Sequence, residues 1–120
     1  MSLIINGRIQ INISKDPIDH APEAGGTAII NLNASFKHNI TMPAGNITIA
    51  VISETKGDIF TIRILQDAIG GRTVTWFTAI KWAEGGTPPT LTITGNKADS
   101  FTFSVAGANK YDGYTVGQNL

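Results

Sequence analysis

The sequence predicts an all-β chain, folded as an antiparallel β-sandwich or jelly-roll-like barrel. Three observations carry that expectation. Apolar residues recur with a period of two along most of the chain, as in strands with one face on a core. Clusters of Gly, Pro and Asn interrupt the alternation at spacings of about 8–14 residues, the rhythm of a sandwich or barrel. Helix signals are almost absent: residues 61–70 hold material for one turn, but β-branched residues dominate them.

The elements follow in order. Ile9, Ile11 and Ile13 alternate with Gln10 and Asn12. Segment 14–26 has two prolines, two glycines and no alternation, and reads as a long loop or an arm reaching to a neighbouring chain. Ile47, Ile49 and Val51 alternate with Thr48 and Ala50, and Phe60, Ile62 and Ile64 with Thr61 and Arg63. Val74, Trp76, Thr78, Ile80 and Trp82 share one parity; a bend near Phe77-Thr78-Ala79 would let both Trp rings cap the core. Leu91 and Ile93 sit among threonines, and Phe101, Phe103 and Val105 alternate with Thr102 and Ser104. Tyr111-Asp112-Gly113-Tyr114 reads as a tight hairpin or a bulge in the last strand. Pro43-Ala44-Gly45-Asn46, Lys56-Gly57-Asp58, Gly70-Gly71, Gly85 to Pro89, Gly95-Asn96 and Gly107-Ala108-Asn109 are the breakers. The count is about eight to ten strands, with no internal repeat.

Composition narrows the function. A chain of 120 residues and 12.7 kDa suits one domain, residues 1–120, with one core. There is no cysteine, so thiol chemistry, disulfides and zinc–thiolate sites are excluded. Nine basic residues balance nine acidic ones, which leaves no positive field for nucleic acid or an anionic membrane. No apolar run is long enough to span a bilayer as a helix, and residues 1–20 do not read as a basic-then-apolar secretory leader. Charged residues make up only 15%, so Thr, Asn, Ser and Gly must carry the polar surface. Such faces guard poorly against edge pairing, and the expectation is a homo-oligomer.

Few residues suggest chemistry. Asp16, Asp19, His20 and Glu23 are close in sequence but match no metal motif, and read as a solvated loop. There is no Gly-x-Ser-x-Gly for a nucleophile, and Gly70-Gly71-Arg72-Thr73 lacks the Lys-Ser/Thr of a phosphate loop. Glu54, Asp58, Asp67, Glu84, Asp99 and Asp112 fall mostly in turns, with no reason to pair any two for glycoside hydrolysis. The expectation is a protein that is not an enzyme, with no catalytic residues, no metal and no cofactor. Three sequons, at Asn33, Asn39 and Asn46, arise easily in so Asn- and Thr-rich a chain. Trp76, Trp82, Tyr111 and Tyr114 are the candidate contact residues, either as core and subunit-interface rings or as a platform stacking on sugar rings. Tyr111 and Tyr114, beside turn residues, are the better ligand candidates.

Five elements recur in order: Gly70-Gly71-Arg72-Thr73-Val74-Thr75-Trp76, then Lys81-Trp82, Gly86-Thr87-Pro88-Pro89-Thr90-Leu91, Asp99-Ser100-Phe101-Thr102-Phe103, and Tyr111-Asp112-Gly113 with a terminal Gly117-Gln118. This run, from Asp58 onward, resembles a β-rich module of bacteriophage and prophage virion proteins, chiefly tail-fibre and related appendage proteins. Members usually have Pro where this chain has Phe77. Residues 1–57 carry no resemblance. The resemblance implies a structural or receptor-facing virion part, commonly trimeric, that assembles with other virion proteins. It implies host-surface glycan as a partner, and a location in the phage particle, or in the bacterial cytoplasm before assembly. The alternative is a free-standing carbohydrate-binding module of a secreted bacterial protein.

Overall fold

A computed structural model describes residues 16–83 and 85–120, with the backbone of two preceding strands, β1 (Ser2–Ile5) and β2 (Arg8–Ile11), which pair antiparallel with each other. The side chains of Ile9, Ile11 and Ile13, and Glu84, lie outside the described residues.

Nine further strands follow: β3 (Ile18–His20), β4 (Thr27–Asn31), β5 (Lys37–Thr41), β6 (Ile47–Ile52), β7 (Ile59–Leu65), β8 (Val74–Thr75), β9 (Ile80–Trp82), β10 (Ala98–Gly107) and β11 (Lys110–Gly117). They form a six-stranded sheet ordered β3-β5-β7-β10-β11-β9 and a three-stranded sheet ordered β4-β6-β8. From β3 to β9 the chain switches sheet at every connection, and β3, β4, β5 and β6 each pair with the strand next but one in sequence. The β3–β5–β7 and β4–β6–β8 ladders are all parallel. This is a short flattened coil of the parallel β-helix kind, closed at one end by the antiparallel ladders β7–β10 and β10–β11.

The expected all-β organisation is present, with no helix among the described residues. The pairing is mixed, and the expected antiparallel ladders are confined to β1–β2, β7–β10 and β10–β11. Period-two alternation records only that one face is buried, and reads the same for either strand direction.

Alternation places the core. Ala28 and Ile30 of β4, Ile40 of β5, Ile47 and Ile49 of β6, Phe60, Ile62 and Ile64 of β7, and Phe101, Phe103 and Val105 of β10 all point into one apolar cluster between the sheets. Each Ile, Val or Phe of this set, fully buried, contributes about 1.5–3 kcal/mol. The outward faces differ. The six-stranded sheet shows Asp19, Lys37, Arg63, Lys81 and Asp112, whereas the three-stranded sheet shows Thr27, Ile29, Asn31, Thr48, Ala50, Ile52 and Thr75, with no charge.

Two further sequence expectations need amendment. Segment 14–26 contains β3, which pairs with this chain's own β5. The three residues of β3, set between Pro17 and Pro22, are too few to show alternation. Conversely, Thr90 to Ile93 alternate but form no strand; the only pairing there is a single bridge from Thr94 to Gly70.

Candidate functional site

The polar residues around that irregular segment explain its shape. Gln66 leaves the end of β7 almost fully buried. Its Nε2 donates to the carbonyls of Arg72 (2.8 Å) and Thr92 (3.0 Å), and its Oε1 accepts from the Arg72 amide (3.1 Å). Asp99, at the start of β10, is equally buried and accepts from the amides of Thr92 (2.7 Å) and Asn119 (3.0 Å) and from Gln118 Nε2 (3.1 Å). Gln118 Nε2 also donates to the Thr90 carbonyl at 2.7 Å. Three side chains thus stand in for a neighbouring strand, pairing the Thr90 carbonyl and the Thr92 amide and carbonyl without a ladder. Burial raises the Asp99 pKa, but the amide donors outweigh it and hold the carboxyl below the usual carboxylate range.

The glycine pair has its reason here too. Gly70 has φ +80° and its amide meets Asp67 Oδ1 at 2.7 Å; a Cβ there would lie 2.2 Å from the Ile93 carbonyl oxygen. Arg72 closes the loop on Asp67 Oδ2 through Nη2 at 2.9 Å and Nε at 3.2 Å. The Arg72 hydrogen bond, followed by that of Gly70, lowers the Asp67 pKa.

The four aromatic candidates separate. Val74-Thr75 and Ile80-Trp82 lie in different sheets, with the expected bend between them, where the Thr78–Ala79 peptide is cis. Trp76 meets Trp82 edge-on at 5.1 Å and Phe101 at 4.9 Å. Phe77, at the position where the resembled module has Pro, fills the space between Tyr111 (4.8 Å) and Phe103 (5.1 Å). Tyr111 is buried, and its hydroxyl donates to Glu54. Burial, then Glu54, push its pKa far up. Trp82 is 7% exposed, and its ring lies against Gly113, where a Cβ would come within 2.8 Å. Trp76 is partly buried against the core, and Tyr114, 47% exposed, is the most open of the four. Tyr114 and the rim of Trp82 share a groove of about 290 Å³ with Thr87, Pro89 and Thr115.

Of the other candidates, Asp19 and His20 adjoin each other on β3, and no group of three or more His, Asp or Glu among the described residues could hold a metal. Glu54 meets Tyr111, Asp67 meets Arg72 and Asp58 Oδ2 accepts from the Thr55 amide, so each serves a local contact. Sequence reasoning missed Gln66. A lone Gln after an apolar strand is the available signal, and it does not say which backbone it will reach.

Residues 20–102, about two thirds of the chain, match the family model described as "Putative phage tail fibre C-terminal domain". The chain belongs to this family. The match begins at His20, so it takes in most of the coil and extends the resemblance upstream of Asp58; it ends at Thr102. No curated protein and no solved structure matches the chain. Membership places this tail-fibre domain among phage structural proteins and in the virion. The Gly-Gly-Arg-Thr, Asp-x-Phe-Thr-Phe and terminal Gly-Gln elements, distant in sequence, meet around Gln66 and Asp99 of the tail-fibre domain. They shape its fold at that point.

Proposed function

We propose that this tail-fibre domain assembles as a homotrimer with other virion proteins, and that it presents the Tyr114 groove to a host-surface glycan. The family match carries the reading. Two structural contrasts support its parts. The outer face of the three-stranded sheet is uncharged and exposes Ile29 and Ile52 (52% and 43%), while the opposite sheet carries charges across its face. A face without charge, set around a threefold axis, brings three copies together free of like-charge repulsion, so it is the assembly surface. Tyr114 offers an open aromatic face beside Thr87 and Thr115 hydroxyls, which suits the C–H face and hydroxyl edge of a hexose.

Titration with purified bacterial lipopolysaccharide and capsule fragments, followed by Trp fluorescence, tests the recognition half. Saturable binding that Tyr114→Ala weakens about tenfold or more, with melting unchanged, supports it. Binding indifferent to Tyr114→Ala, or no binding across the set, refutes recognition by this groove. No enzymatic step is proposed.

A further inference from the structure

β3 is a three-residue strand that pairs, among the described residues, with β5 alone. So short an edge has few ladder bonds of its own, and side-chain contacts such as Asn39 Nδ2 to Asp19 Oδ1 (3.2 Å) add to them. Its last residue, His20, turns its ring onto His38 of β5. The rings stack at 5.1 Å, and His20 Nε2 lies 2.9 Å from His38 Nδ1. His38 is 1% exposed, and its Nε2 lies 2.8 Å from the Ser35 carbonyl.

These contacts fix the protons. A carbonyl only accepts, so His38 Nε2 carries hydrogen and donates. Neutral His38 then has its lone pair on Nδ1, and His20 Nε2–H donates to it. The result is a one-way relay from His20 through His38 to the Ser35 carbonyl. It tolerates one added proton, at His20 Nδ1. A second must land on His38 Nδ1, the acceptor. Two N–H groups would then point at each other and two cations would share a largely dry contact.

We propose that His20 and His38 form a pH-sensitive latch, which holds edge strand β3 on β5 at neutral pH and releases it in acid.

The surroundings sharpen the response. Asp19 is the charged neighbour on β3, and its attraction for a protonated His20 is weaker than burial and the repulsion from His38. Arg63 of β7 borders the same groove and opposes further positive charge. Lys37 of β5 points to the opposite face from His38. The inward side chains of β4 and β7 (Ala28, Ile30, Phe60, Ile62, Ile64) carry no charge. Burial, the largest cause for both rings, moves both pKa values below the ordinary 6.5. The sign follows. The unfolded histidines take up protons first as pH falls. The latch is therefore complete above about pH 6.5 and weakens progressively below it.

Hydrogen exchange of the intact chain, resolved by residue and corrected for intrinsic rates, tests this between about pH 7.5 and 5. Amide protection across residues 18–20 and 38–40 is expected to fall about tenfold or more, while the β7–β10 ladder keeps its protection. His38→Gln preserves both hydrogen bonds with a group that cannot titrate, and should abolish the response. If that buried substitution prevents folding, the half-buried His20→Gln serves the same purpose. Protection of β3 that is independent of pH, that falls together with β7–β10, or that falls equally in the Gln variant overturns the latch.

Discussion

At the scale of single residues, two glycines and one carboxylate decide more than their size suggests. Gly113 gives the Trp82 ring a flat seat on β11, and a Cβ there also meets Ile80 Cγ2 at 2.8 Å. Gly113→Ala should cost about 1–3 kcal/mol through overpacking, measured by denaturant unfolding, and should blue-shift or red-shift Trp emission as the ring is displaced. Gly70→Ala meets backbone, which cannot yield as a side chain can, and should be worse than Gly113→Ala. Asp99 sets a pH dependence of its own. Its folded pKa is depressed, so its contribution is fully present above the ordinary carboxylate value and is lost as pH falls through the folded value. Thermal melts from about pH 5 to 2 should therefore show a decline that Asp99→Asn reduces, at the expense of lower stability at neutral pH. A melting profile identical in the variant would remove Asp99 from that role.

At the scale of elements, side chains replace a strand. Gln66, Asp99 and Gln118 pair the Thr90 carbonyl and both backbone groups of Thr92 where a ladder would otherwise be needed. Gln66→Ala orphans the Arg72 amide and two carbonyls, and each buried orphan costs about 1–3 kcal/mol. Faster hydrogen exchange should appear at the Arg72 amide, which loses its acceptor, before it appears in β7 or β10. Simultaneous loss everywhere would mean that Gln66 supports the whole core. The element scale also shows how much the sequence disclosed. Strands β6, β7 and β10 are legible because apolar residues alternate at period two with outward ones, three of them buried in β7 and in β10, and two buried with Val51 half-buried in β6. The coil is not, because its turns are unequal: Ile18 pairs with His38 and Thr27 with Thr48, but His38 pairs with Ile62 and Ile47 with Val74. Parallel register with such uneven spacing leaves no repeat to detect. Thr90 to Ile93 mislead for the opposite reason: they have a strand's alternation, but their partners are side chains.

For the candidate site, the aromatic residues were legible as a set and their division was not. Trp76 and Trp82 pack on the core through the change of sheet between β8 and β9, Tyr111 enters it from β11, and Tyr114 is the most exposed of the four. Alternation along β11 fixes that difference: Tyr111 and Gly113 point inward and Tyr114 outward.

At the scale of the whole molecule, the charge-poor composition has a location. Among the described residues, the charges lie on the six-stranded sheet and at turns, and the three-stranded sheet's outer face has none. If that face joins copies, Ile29→Glu with Ile52→Glu places repelling carboxylates at each junction while leaving the inward faces untouched. The double variant should stay folded by circular dichroism and lose its partners. The most direct measurement is sedimentation equilibrium of the chain and of this variant across micromolar to near-millimolar concentration. Assembly through the uncharged face predicts a species three times the 12.7 kDa chain mass for the natural sequence and a single chain for the variant. A natural chain that stays monomeric throughout, or a variant that remains trimeric, would contradict it.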